Sequence, residues 1–325
     1  MHAIRSRFFR QFVVLAGLAM AVLPAAAQDK VSVGVMTVSS SLPYFVALDQ
    51  GFFTEQHIET EMTKLMGGPP NIAAMITNQI DVAAVLVTIE GMNANLKKPG
   101  VAMFIALDGQ NSVYQMDQIV ARNGFKADSL KDLKGAKLLS APGPANLAMA
   151  RAALAAVGLK DGDYSIDQLD MALHVGALKA GTYDGGYTLE PNASIMRKLG
   201  IARTLEAGVV AHYVLGDPKA FAFSAGCAIT SHFIETRPEV AKRFVAAWAK
   251  AVHFINDHPA EARQALAKNG LVPADVASSV PVHRYFMASD LEARNVAEFQ
   301  KYIDFFAKNG TLPERVDVTK YLKAF

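Results

Sequence analysis

Two short stretches of this chain place glycine, proline and asparagine where a helix is about to begin: Gly67-Gly68-Pro69-Pro70-Asn71 and Pro142-Gly143-Pro144-Ala145-Asn146. Glycine lets the backbone turn sharply, proline presets the first helical turn, and asparagine can cap it. The first N–H groups of a helix have no partner within it, so such a turn can hold an anion. One turn of this kind is an ordinary loop. Its recurrence in two halves of the chain suggests two helix N-termini facing one ligand from opposite sides.

Little else in the sequence offers chemistry. The eight histidines are scattered, and no H-E-x-x-H, cysteine pair or tight aspartate cluster has metal-ligand spacing. His253 and His258 are five residues apart, which puts them on different faces of a helix. There is no Walker loop and no dinucleotide fingerprint, so no cofactor and no metal is expected. The segment AFSAG, Ala222 to Gly226, resembles a G-x-S-x-G nucleophile elbow but lacks its first glycine. Ser224 therefore reads as a pocket or hinge hydroxyl. Glu190, in LEP, could serve as a general acid or base, yet it has no identifiable partner. The reading is a binder, not an enzyme.

The elements that must position these residues follow a repeated order. From Val31, strand-like VSVGVMTV, helix-like LPYFVALDQGFF, strand-like IETEMTKL, helix-like PNIAAMITNQ and strand-like DVAAVLV succeed one another. This is a βαβ rhythm, and apolar runs such as DVAAVLV suit parallel strands covered on both faces. Ligands of such sheets gather at the strands' carboxyl ends. A second rhythm begins after Asn123, through SLKDLKGAKLLSAP, PANLAMARAALAAVGL and YDGGYTLEP. The last third is helical, and Phe244, Trp248, Val252 and Ile255 recur at the spacing of a core-facing stripe.

Arg5, Arg7 and Arg10 precede an apolar run from Phe12 to Leu23 and then Ala25-Ala26-Ala27, the layout of a secretory signal cleaved before Gln28. That run falls short of the roughly 20 residues that span a bilayer. Residues 1–27 are thus expected to direct export to the periplasm. Without them the 32 basic side chains become 29 against 30 acidic, a balance of −1 with no basic run to attract nucleic acid. Cys227 is the single cysteine and can form no internal disulfide.

Taken in order, several segments resemble the periplasmic substrate-binding proteins of ABC importers for sulfonates, taurine, nitrate and thiamine-precursor pyrimidines. These are PYFVALDQGFFTEQHIETEM, GGPPNIAAMITNQIDVAAV, DLKGAKLLSAPGPANLAMARAALAAVGL, ALKAGTYDGGYTLEP and FIETRPEVAKRFVAAWAKAVHFINDHPAEA. The resemblance implies an α/β, two-lobe periplasmic binding protein fold of type II, each lobe a mostly parallel sheet flanked by helices, with two crossing segments as hinge. The first lobe would comprise 28–117 and 223–325, the second 118–222, with crossings near Ser112 to Arg122 and Ala220 to Ala228. Carried over position by position, the family's pocket falls on Ser39, Ser40, Ser41, Tyr44, Gly68, Asn71, Thr88, Gln115, Gly143, Asn146, Glu190, Phe223 and Ser224, and Tyr187 joins Tyr44 as an apolar wall. Thiamine-pyrimidine synthases of the same fold use a cysteine-rich segment with histidine, which a chain with Cys227 alone lacks.

The expected function is that of a monomeric exported receptor that captures a small organic anion, sulfonate or carboxylate, aromatic ones included, between two lobes and delivers it to the permease subunits of an ABC importer. No lysine or arginine lies in the predicted loops, so the anion would rest on helix N-termini, hydroxyls and amides. A pyrimidine binder and a lyase on the same scaffold are the alternatives. Asp184-Gly185-Gly186-Tyr187 departs from the bulkier residues of relatives and is expected to widen the pocket or loosen its strand.

Overall fold

The computed structural model describes residues 28–325; the expected export signal lies outside them. Eleven strands form two sheets. The strands are β1 (Asp29–Val35), β2 (Ile58–Lys64), β3 (Val82–Val87), β4 (Met103–Gln110), β5 (Asp117–Arg122), β6 (Lys137–Ser140), β7 (Ser165–Gln168), β8 (Gly185–Leu189), β9 (Ala202–Ala207), β10 (Ala222–Ile229) and β11 (Arg284–Met287). The first sheet has the order β11-β4-β10-β3-β1-β2 and the second β7-β6-β8-β5-β9. Two polypeptide crossings join them, β4 to β5 and β9 to β10. The two-lobe α/β fold is therefore present.

Each sheet is mixed rather than mostly parallel, and the crossings explain why. The βαβ units pair in parallel, β1 with β2 and β3, and β6 with β7 and β8. Every antiparallel pair involves a strand that leaves or re-enters a sheet at the boundary. A strand that leaves and one that returns must run in opposite directions, so Gln110 pairs with Ala222 and Gln118 with Ala207 at the shared ends. At this junction Ser112 N–H and Oγ donate to Pro218 O (3.1 and 2.8 Å), and Asn111 Nδ2 donates to Lys219 O (3.1 Å).

Burial follows the sequence pattern. β3, with VAAVLV, is covered on both faces, whereas the edge strands β2 and β7 are mostly exposed. The helix Pro238–Asp257 begins at a proline and buries Val240, Phe244, Trp248, Val252 and Ile255 on one stripe. Phe244 stacks between Phe53 and Trp248, with ring centroids 5.2 and 5.8 Å apart. Burying a side chain of the size of Phe244 stabilises by roughly 1.5–3 kcal/mol. Cys227 is buried in the same cluster, and burial pushes its thiol well above the ordinary range, so it is an inert core residue. The helix Ala293–Lys308 opens with a reciprocal Glu292 and Asn295 cap and reaches the sheet boundary, where Tyr302 Oη lies 3.6 Å from Met149 Sδ.

Candidate functional site

Two helices start at the boundary between the sheets in nearly the same way. Gly67 (φ 92°) precedes the helix Gly68–Ile76, and Gly143 (φ 100°) precedes the helix Pro144–Ala156. These positive φ values favour glycine. In both turns an asparagine donates back four residues: Asn71 Nδ2 to Gly67 O (2.8 Å) and Asn146 Nδ2 to Pro142 O (2.7 Å). The sequence recurrence is thus a structural one.

Between these turns lies a cavity of about 280 Å3. Its walls are largely apolar: Met36, Val38, Met66, Val85, Val87, Met116, Met149, Met171, Tyr187, Leu189 and Ala225. The polar groups are few, namely Ser40, Glu90, Asn146, Asp170 and Ser224, with the turns Gly67 to Pro70 and Pro142-Gly143. Apolar walls with a few convergent polar groups characterise sites for small molecules. Both sheets contribute, β3 and β10 on one side and β8 on the other.

Of the residues picked out in the sequence, Ser40, Gly68, Gly143, Asn146, Tyr187 and Ser224 line this cavity. The others lie elsewhere. Ser39 donates through N–H and Oγ to Glu190 O (3.4 and 3.3 Å), and Ser41 Oγ donates to Met36 O (2.6 Å). Tyr44 shares a hydrogen bond with Thr60 (3.0 Å) beside β2, away from the boundary. Asn71 is buried behind its turn, Thr88 Oγ1 donates to Phe223 O (2.8 Å), and Phe223 packs in the core. Gln115 donates to Ser112 O (3.1 Å) at the crossing.

Glu190 is fully buried as a structural carboxylate. Its oxygens accept from Gln118 Nε2, Arg197 Nη2 (3.1 Å) and Ser194 N–H (3.1 Å). Ser39, His283 and Asp108 are also joined in series, Ser39 Oγ to His283 Nε2 at 3.3 Å and His283 Nδ1 to Asp108 Oδ2 at 2.9 Å. All three are buried and none lies on the cavity wall, so this hydroxyl has no route to a solute in this conformation. The series instead braces Ser39 where it meets Glu190 across the boundary.

Of the two carboxylates on the cavity wall, Glu90 and Asp170, neither was singled out from the sequence, and Glu90 is the one at the helix starts. It sits in the first turn of the helix Thr88–Lys97, directly after β3. The signal was present: ligands gather at the carboxyl ends of parallel strands, and VAAVLVTIE places an acid there. Glu90 Oε2 is buried and has no hydrogen-bond partner among the described residues. A methyl group on Gly68 would collide with this oxygen, and one on Gly143 would lie 3.1 Å from Oε1. The carboxyl thus nestles against both turns at once.

Burial raises Glu90 to about 7 and Asp117, behind the cavity, to about 6. A folded-state value above the unfolded one means that folding is opposed once the group must ionise, so stability falls as pH rises from about 4.5 through 7. Glu90→Gln is expected to raise the urea midpoint of the ligand-free protein at pH 8 and to change it little at pH 4.5. The rise from 4.5 to about 7 puts the gain on the order of 3 kcal/mol. Parallel pH profiles for the two proteins would remove Glu90 as the cause.

The NMT1-like family model matches residues 24–272. The chain belongs to that family. A curated protein of Brucella abortus (strain 2308) is 24% identical over 224 residues, which take in 69% of this chain. The matched part spans 66% of the length of that curated relative. Among solved structures, the alkanesulfonate-binding protein SsuA of Xanthomonas axonopodis pv. citri, bound to MOPS, superposes with a TM-score of 0.71 at 18% identity over 92% of this chain and 99% of that one. The periplasmic nitrate-binding protein NrtA of Synechocystis gives 0.67 at 16% identity over 90% and 84%. At these identities the NMT1-like chain shares their fold.

Proposed function

We propose that this chain is an exported solute receptor that encloses a small, largely apolar organic molecule between its two sheets and passes it intact to the permease of an ABC importer. The observation that carries the reading is the cavity of about 280 Å3 at the boundary, walled from both sheets and met by two helix starts. Its residues are divided between strands 29–110 with 222–287 and strands 117–207, which act as two lobes hinged at the crossings. A solute touching both lobes stabilises the closed form by its differential affinity for that form. The names of the fold relatives, alkanesulfonate- and nitrate-binding, and the family membership support transport rather than turnover.

Ligand recovered from denatured protein, identified by mass spectrometry and shown by X-ray scattering to compact the apoprotein, tests the reading. Asn146→Leu is expected to weaken that ligand by about tenfold or more in calorimetry, since a polar anchor in an apolar cavity is worth about 1–3 kcal/mol. Unchanged affinity would remove Asn146 from the site. Chemical conversion of the ligand by the purified protein would replace the receptor with an enzyme.

A further inference from the structure

The polarity of the cavity departs from what the two helix starts alone suggest. Among the described residues, no lysine, arginine or histidine lines it, while two carboxylates, Glu90 and Asp170, do. Asp170 is engaged at the start of the turn 171–173, where its Oδ1 accepts from Ala172 N–H (2.9 Å). Glu90 has no such use, because its Oε2 is shut away from solvent without a donor. Its carboxyl lies against both turns, with Oε2 where a Cβ on Gly68 would fall and Oε1 3.1 Å from where one on Gly143 would. A second negative charge there would meet a like charge at close range in a poorly solvated space.

We propose that Glu90 is the counter-charge for an organic cation, an ammonium or amidinium on an apolar body, and that this group sets the solute class of the receptor. The inference rests on the receptor reading and goes beyond it. The remaining wall suits such a guest. Asn146 spends its Nδ2 on Pro142 O, which leaves Oδ1 as an acceptor. The thioethers of Met66, Met116 and Met149 and the Tyr187 ring offer polarisable surface to a cation and its hydrocarbon part.

The groups facing Glu90 set the pH behaviour. Asp170 shares the cavity, and the Tyr187 and Tyr302 hydroxyls are held well above the ordinary range by burial, so both stay neutral. Burial places Glu90 at about 7. A cation that needs the carboxylate must therefore displace a proton below that pH, and its affinity rises with pH until Glu90 is ionised, then levels. An anion would show the reverse slope.

Calorimetry with benzamidine and benzylamine against benzoate and benzenesulfonate, at pH 6 and pH 8, decides the matter. Both cations stay protonated over that range. The expected result is binding of the cations alone, about tenfold tighter at pH 8 than at pH 6. Glu90→Gln should weaken them by about thirtyfold or more at pH 8 and flatten the pH profile. The wild-type slope stands as a measurement even if that variant folds poorly. Tighter binding of the anions, strengthened by Glu90→Gln, would overturn the cation assignment and leave the receptor standing. Cation affinity indifferent to Glu90→Gln and to pH would also overturn the assignment. Failure of all four probes to bind would count against both readings.

Discussion

Gly186→Ala is expected to cost about 4 kcal/mol of folding stability, from backbone strain together with overpacking at the centre of a sheet. Gly186 lies in β8, paired on one side with Leu139 of β6 and on the other with Val120 of β5. Its φ is +149°, which an L side chain rarely adopts, and a Cβ there would collide with the Leu139 carbonyl oxygen and lie 2.7 Å from Leu139 N. Both obstacles are backbone, which cannot step aside without breaking the ladder between β6 and β8. The adjacent Gly185 is similarly confined against the Val120 carbonyl oxygen. The glycine pair is therefore required by close approach of three strands, and the Tyr187 that follows lines the cavity. Urea denaturation measures the loss, with Gly200→Ala as the comparison. Gly200 also has positive φ, at +64°, but its Cβ would meet nothing, so strain of about 1 kcal/mol is all it should show. Equal costs at the two positions would mean that strand packing is not the cause.

Glu190→Ala should lower stability by about 3 kcal/mol or more while leaving ligand affinity within about threefold, because removal of one partner of a buried ion pair strands the other. Arg197 would keep its bonds to Gln118 Oε1 (2.6 Å), Thr204 Oγ1 (2.8 Å) and Ser194 Oγ (2.8 Å) but lose the carboxylate it pairs with. Ser194 N–H, in the first turn of the helix Asn192–Lys198, would lose its acceptor as well. Arg197 is one-third exposed, so water recovers part of its solvation, which places the loss at the lower end of the range. Glu190→Gln keeps the shape and one acceptor and should cost less. An affinity that collapses with stability intact would put this carboxylate in contact with the solute and count against its structural role.

The contrast between the two glutamates shows what a sequence carries. Glu190 attracts notice because it is followed by proline, yet its surroundings come from β5, β9 and the helix after it, segments 7 to 86 residues apart in the chain. Glu90 stands in an unremarkable helical run, and what distinguishes it is the approach of Gly143, contributed by the other sheet. Similarly, nothing in Ser39-Ser40-Ser41 says that only the middle serine lines the cavity. Consecutive residues in a tight turn point in different directions, and the turn's setting selects among them.

The sequence alone determined the βαβ rhythm, the core stripe around Trp248 and the two glycine-proline helix starts. These depend on periodicity and on the steric properties of glycine and proline, which act over a few neighbouring residues. Only the tertiary structure decided the direction of the crossing strands, the burial of Glu190 with Arg197 and the placement of Glu90 in a cavity without a cation. Each of those depends on how separate elements pack against one another, and the free energy of a charge depends on what meets it.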